Sequence, residues 1–161
     1  MTKRFAMICF AVMFCIPVIS SKAQETSANL KGISTLYVVI EALPAGAKTL
    51  GLSKDAIQTD VELKLRLAGI RIVTPEEGKN LPGRAFVYIA VSVANDARAA
   101  DFDIYLDQDA RLERNSQFAP AVETWRTGSL ISNPSAQGIR TEIKDGIDEF
   151  LNAWLSVNPR K

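Results

Sequence analysis

From Asp101 to Glu113 the chain alternates apolar and polar residues, and this pattern constrains the fold more than any other. Phe102, Ile104, Leu106, Ala110 and Leu112 share one parity, interrupted by Gln108. Asp101, Asp103, Tyr105, Asp107, Asp109, Arg111 and Glu113 share the other. Successive side chains of a strand point to opposite faces, so the segment is expected as a β-strand with one face buried and one in water. A sheet wet on one side is characteristically antiparallel, with its apolar side covered by a second layer.

The second layer is legible elsewhere in the sequence. Thr35 to Leu43, rich in β-branched and aromatic residues, is expected as a strand. PAGAKTLG is then expected as a loop from its proline and glycines. Ser53 can cap a helix whose first turn holds Asp55. Ile57, Val61, Leu65 and Ala68 lie on one face of that helix, and Gly69 sits where a C-terminal cap belongs. Ile70 to Thr74 is expected as a short strand. PEEGKNLPGR is expected as a loop, and Ala85 to Ala94 as a strand with Val87, Ile89, Val91 and Val93 on one face. Phe86, Tyr88, Ala90 and Ser92 line its other face.

A last strand is expected from Ala121 to Leu130. A final helix carries Ile139, Ile143, Ile147, Phe150, Leu151, Trp154 and Leu155 as an apolar stripe, ended by Asn158-Pro159. Gly146 within it costs roughly 1 kcal/mol relative to alanine. The expected order is β-α-β-β-β-β-α: an α+β two-layer sandwich of about five mostly antiparallel strands with both helices on one side. The uncovered face then carries Tyr37, Val39, Phe86, Tyr88 and Tyr105, with aspartates around them. Trp125 lies on a strand too mixed to place, and both Trp125 and Trp154 are expected as core anchors.

This pattern resembles small periplasmic proteins of uncharacterised role. The resemblance is carried by a capped helix ending in LRLAGIRIV, a meander with Thr124-Trp125 near its end, and a last helix reading IDEFLNAWLSVNP. The architecture looks like that of the amino-terminal domain of the Tol-system protein TolB, and more loosely that of the lipopolysaccharide-assembly lipoprotein LptE. The resemblance implies an envelope location and carries over no catalytic residues.

The beginning of the chain points to the same compartment. Lys3 and Arg4 precede an apolar run from Phe5 to Ile19, and Ser21-Lys22-Ala23 supplies small residues where a signal peptidase acts. Residues 1–23 are therefore expected as a signal peptide, 24–34 as a polar lead-in and 35–158 as one domain. A retained amino-terminal anchor is the competing reading. Met13-Phe14 before Cys15 departs from the lipoprotein pattern, and thus from LptE. Cleavage would remove Cys9 and Cys15, the only cysteines, leaving a chain that must be held together by packing alone. Removing Lys3, Arg4 and Lys22 from nineteen bases against eighteen acids takes the net charge from +1 to −2. A balance so near neutral, without a basic run, argues against nucleic acid and anionic membrane surfaces as partners.

The chain contains no histidine, which excludes Ser-His-Asp and Cys-His catalysis and histidine-bound metals. No phosphate-cradling loop is present, and no cofactor is implied. Calcium needs about six to eight converging oxygens. Aspartates on alternate strand residues instead point in parallel, about 6.5–7 Å apart. No metal site is read from them. Carboxylate catalysis needs two acids across a cleft, which a row on an open face does not offer.

The expected function is a non-enzymatic, periplasmic or secreted module that binds another envelope protein through its exposed sheet face or edge. Tyr37, Tyr88 and Tyr105 are the expected contacts, with Asp103 and Asp107 tuning specificity. A loop such as PEEGKNLPGR, or the lead-in segment, folding over the rings is the competing reading of this face. A small-ligand or calcium carrier using the same face is the alternative, and a carboxylate-dependent hydrolase is third.

Overall fold

The computed structural model describes residues 27–159, so the expected signal peptide lies outside the described residues. The strands are β1 (Thr35–Ile40), β2 (Arg71–Ile72), β3 (Phe86–Val93), β4 (Ala99–Arg111) and β5 (Phe118–Ser132). The helices are α1 (Ala45–Thr49), α2 (Lys54–Leu67), α3 (Pro75–Gly78) and α4 (Ala136–Val157). They form the expected α+β arrangement, an open sheet in the order β2-β1-β3-β4-β5. The short β1 ladders are parallel, whereas the long β3-β4 and β4-β5 ladders are antiparallel.

α2 begins and ends as its sequence dictates. Ser53 Oγ accepts from the Ala56 amide at 3.4 Å, and Gly69 adopts a φ of +98°. The Gly69 amide donates to Arg66 O and the Ile70 amide to Leu65 O, the two bonds of a Schellman cap that glycine's freedom at positive φ permits. The turn delivers Ile70 into the core and starts β2. Ile57, Val61 and Leu65 face the sheet beside Ile139, Ile143, Ile147 and Phe150 of α4. Each such buried side chain contributes about 1.5–3 kcal/mol relative to exposure.

Gly146 explains how closely α4 approaches. A Cβ there would meet Ile104 Cδ1 at 2.8 Å and Phe102 Cε2 at 3.2 Å, so its low helix propensity is accepted for contact with β4. Trp125 packs edge-on to Phe150 with ring centroids 5.3 Å apart. Both tryptophans are buried in the core.

Three expectations are corrected in detail. PAGAKTLG and PEEGKNLPGR contain the short helices α1 and α3, each too brief to show helical periodicity. α3 is set by a capping box in which the Thr74 amide donates to Glu77 Oε2 at 2.9 Å and the Glu77 amide donates to Thr74 Oγ1 at 3.3 Å. The last strand is longer than expected at both ends, running from Phe118 to Ser132.

Residues 27–34, expected within a polar lead-in, are tied to the domain. Leu30 is fully buried and Ile33 nearly so. The Trp154 indole donates to Ile33 O at 2.8 Å, and Asn158 binds both Gly32 N and Leu30 O. Among the described residues, no helix is long and apolar enough to cross a membrane.

Candidate functional site

α2 and α4 cover one side of the sheet, and the other side carries two cross-strand rows of larger side chains. The strand register places Tyr37, Phe86, Asp107 and Glu123 in one row. Val39, Tyr88, Tyr105 and Arg126 form the next. Neighbouring Cβ atoms in such a row lie about 4.5–5.5 Å apart, close enough for rings and charges to act on one another.

A break in β5 creates this pairing. Leu106 pairs with Trp125 but Asp107 pairs with Glu123, so Thr124 is an extra residue. Trp125 and Glu123 share sequence parity yet lie on opposite faces, the tryptophan in the core and the glutamate on the open side. Thr124 is held in the bulge by donating to Leu106 O at 3.1 Å and accepting from Gln108 Nε2 at 2.8 Å.

Tyr37 is a correction. Expected as an exposed contact, it is only 7 % exposed. It stacks on Phe86 with centroids 5.0 Å apart, and α3 packs over it so tightly that a Cβ on Gly78 would fall 2.1 Å from Tyr37 Cδ1. The PEEGKNLPGR segment thus covers one tyrosine of three. Burial, ahead of nearby charges, raises the Tyr37 hydroxyl above its ordinary pKa.

Tyr88 and Tyr105 remain partly exposed, paired across β3 and β4 with centroids 6.2 Å apart. Both hydroxyls are raised above their ordinary pKa, chiefly by burial and then by carboxylates: Glu41 for Tyr88, Asp103 for Tyr105. They are therefore neutral donors at neutral pH.

The four aspartates have separate roles. Asp103 Oδ1 accepts from Arg126 Nη2 at 2.8 Å and Nε at 3.2 Å. The same guanidinium lies over Tyr105, 5.1 Å from the ring centroid. Gly128, opposite Asp103, leaves room for this, since a Cβ there would meet Asp103 Oδ1 at 2.6 Å. Asp109 Oδ1 accepts from Arg84 Nη2 at 2.9 Å and from the Ala121 amide at 3.1 Å. Asp101 pairs with Leu130 near the far end of the ladder. Asp107 faces Glu123, and among the described residues neither makes an ion pair. Burial first, and Glu123 second, pushes the Asp107 carboxyl above its ordinary pKa.

Phe86, Tyr88, Tyr105, Asp107 and Glu123 line a shallow depression of about 490 Å³. It brings together three of the five expected contacts: Tyr88, Tyr105 and Asp107. Asp103 lies just outside it, paired with Arg126, and Tyr37 is under α3. Glu123 and Arg126 do not stand out in the sequence, because the bulge puts on one face two residues of opposite parity. Pro120 inside a strand is the sequence signal that marks such an irregularity.

The chemistry on offer is recognition by rings, phenol donors and two carboxylates. Among the described residues, no group of three or more acidic, cysteine or histidine side chains is placed to hold a metal ion. No protein-family model matches the sequence, and no curated protein matches it.

Proposed function

We propose that the protein is a secreted, periplasmic, non-enzymatic binding module that holds another protein of the cell envelope on its open sheet face. The observation that carries this reading is the Tyr88–Tyr105 pair, two adjoining, partly exposed rings on the side of the sheet opposite α2 and α4. Rings of this kind bury large area at low entropic cost, which makes tyrosine a frequent contact residue. The leader-like residues 1–23 supply the compartment.

The face suits this role better than the β5 edge. Pro120 provides no amide there, and two register breaks disturb the strand that an added chain would have to follow. The depression's volume of about 490 Å³ favours a second reading, a small-ligand carrier using the same rings.

The test is capture from envelope extract by the purified protein beside a Tyr88→Ala/Tyr105→Ala variant. A partner retained by the wild type and lost by a folded variant supports the module. Equal capture by both proteins overturns the use of this face. Empty lanes from both, with a small molecule raising the wild-type melting temperature, favour the carrier.

A further inference from the structure

Arg126 displays the recognition chemistry of this face. Its guanidinium lies over the Tyr105 ring and is clasped by the Asp103 carboxylate. One row along, the same components recur. Phe86 in that row, with Tyr88 from the row of Arg126, supplies aromatic surface beside Asp107 and Glu123; Arg126 is near enough to act on Glu123, but among the described residues no basic side chain forms an ion pair with either acid.

Like charges directly opposite each other on adjacent strands weaken a sheet, so this pairing opposes the fold. Its acids sit at the wall of an aromatic depression, where a planar cation gains twice: from the ring faces and from charge-assisted hydrogen bonds to two carboxylates. A guanidinium fits this better than an ammonium, because its flat fork can lie on a ring while donating sideways. Asp107 is only partly exposed, so a cation there is less screened than at an open surface.

We propose that the depression lined by Phe86, Tyr88, Tyr105, Asp107 and Glu123 is a guanidinium pocket that takes one arginine side chain from the partner protein. This deepens the binding-module reading and rests on it for the source of the arginine. Asp107 and Glu123 hold the charge, Tyr88 and Phe86 support its plane, and Arg126, its own charge held by Asp103, bounds the far side.

The probe is a capped peptide, acetyl-Gly-Gly-Arg-Gly-Gly-amide, titrated into the purified protein and followed by amide NMR shifts. Its counterpart with citrulline keeps the shape and removes the charge. Saturable shifts centred on Tyr88, Tyr105 and Glu123 are expected with arginine, and at least about tenfold weaker binding with citrulline or with an Asp107→Asn/Glu123→Gln variant. That variant relieves repulsion and so keeps its fold. Asp101→Asn, an acid on the same face outside the depression, controls for general attraction and should bind as the wild type does.

Unsaturable shifts scattered over the acids, or equal loss in Asp101→Asn, overturn the pocket. Partner capture undiminished in Asp107→Asn/Glu123→Gln likewise overturns it while leaving the binding module standing. Saturable arginine binding by a protein that captures nothing from envelope extract retires the module and keeps the pocket.

Discussion

Asp107 on β4 and Glu123 on β5 are direct cross-strand partners, two acids set opposite each other on the open face of the sheet. A β5 strand without the extra residue Thr124 would not place Glu123 there. Opposed like charges cost stability on the order of 0.2–1 kcal/mol. Glu123→Gln should therefore stabilise the protein by about that amount, read as a higher urea midpoint with an unchanged slope. A lower midpoint would mean that the two acids share an interaction the fold depends on.

The same pair predicts a pH dependence. Burial, and then Glu123, holds the Asp107 carboxyl above its ordinary value of 3.8. The folded state thus keeps a proton that the unfolded chain has released. Stability accordingly falls as pH rises from the ordinary value through the folded one, and the full cost is present above both. The advantage of Asp107→Asn over the wild type should be greatest at neutral pH and vanish below pH 3.8, where both states are protonated. Melting curves of the two proteins across pH 3 to 7 decide it. A constant difference would assign the advantage to something other than ionisation.

About half of this site is legible in the sequence, and the boundary has a physical cause. The β4 alternation places Phe102, Ile104 and Leu106 in the core and Tyr105 and Asp107 outside because that strand adds no residue through this stretch. β5 fails the same reasoning at Thr124, where one extra residue exchanges the faces of Val122 and Glu123, and a second break follows between Val122 and Ala119. Strand alternation puts Tyr37 on the correct face, but its cover depends on where α3 lands, a tertiary fact with no local periodicity. Leu30 and Ile33 do not stand out in their polar context, since two apolar residues three apart are too few to announce a buried segment.

Gly78 is the point where α3 touches the sheet, and its missing side chain is what lets Tyr37 be covered. A Cβ would lie 2.1 Å from Tyr37 Cδ1 and 2.6 Å from Cε1, so the helix or the ring must move. Gly78→Ala should destabilise the protein by about 1–3 kcal/mol, the usual cost of overpacking. It should also expose Tyr37, seen as a Tyr37 hydroxyl that titrates closer to the ordinary value of 10.0. An alanine variant with wild-type stability and unchanged tyrosine titration would show that α3 is free to lift off without cost.

Asn158 ties the two ends of the described chain together. Its Oδ1 accepts from the Gly32 amide at 2.7 Å, while its Nδ2 donates to Leu30 O and to Trp154 O, each at 2.9 Å. One turn earlier, Trp154 donates to Ile33 O. Leu30, Gly32 and Ile33 are thus tied by their backbones to the end of α4, and the side chains of Leu30 and Ile33 complete the core. Removing the side chain takes the acceptor of the Gly32 amide, whereas Leu30 O keeps the Ile33 amide and Trp154 O keeps the Asn158 amide; such a loss costs about 1–3 kcal/mol where water cannot replace it. Water reaches part of this site, so Asn158→Ala should cost about 1–2 kcal/mol in total. Because β3, β4 and β5 make no use of Asn158, the effect should be local. Amide exchange should accelerate at Gly32 and its neighbours while the strand amides keep their protection relative to global stability. Uniform acceleration through the sheet would instead make residues 30–33 an inseparable part of the cooperative fold.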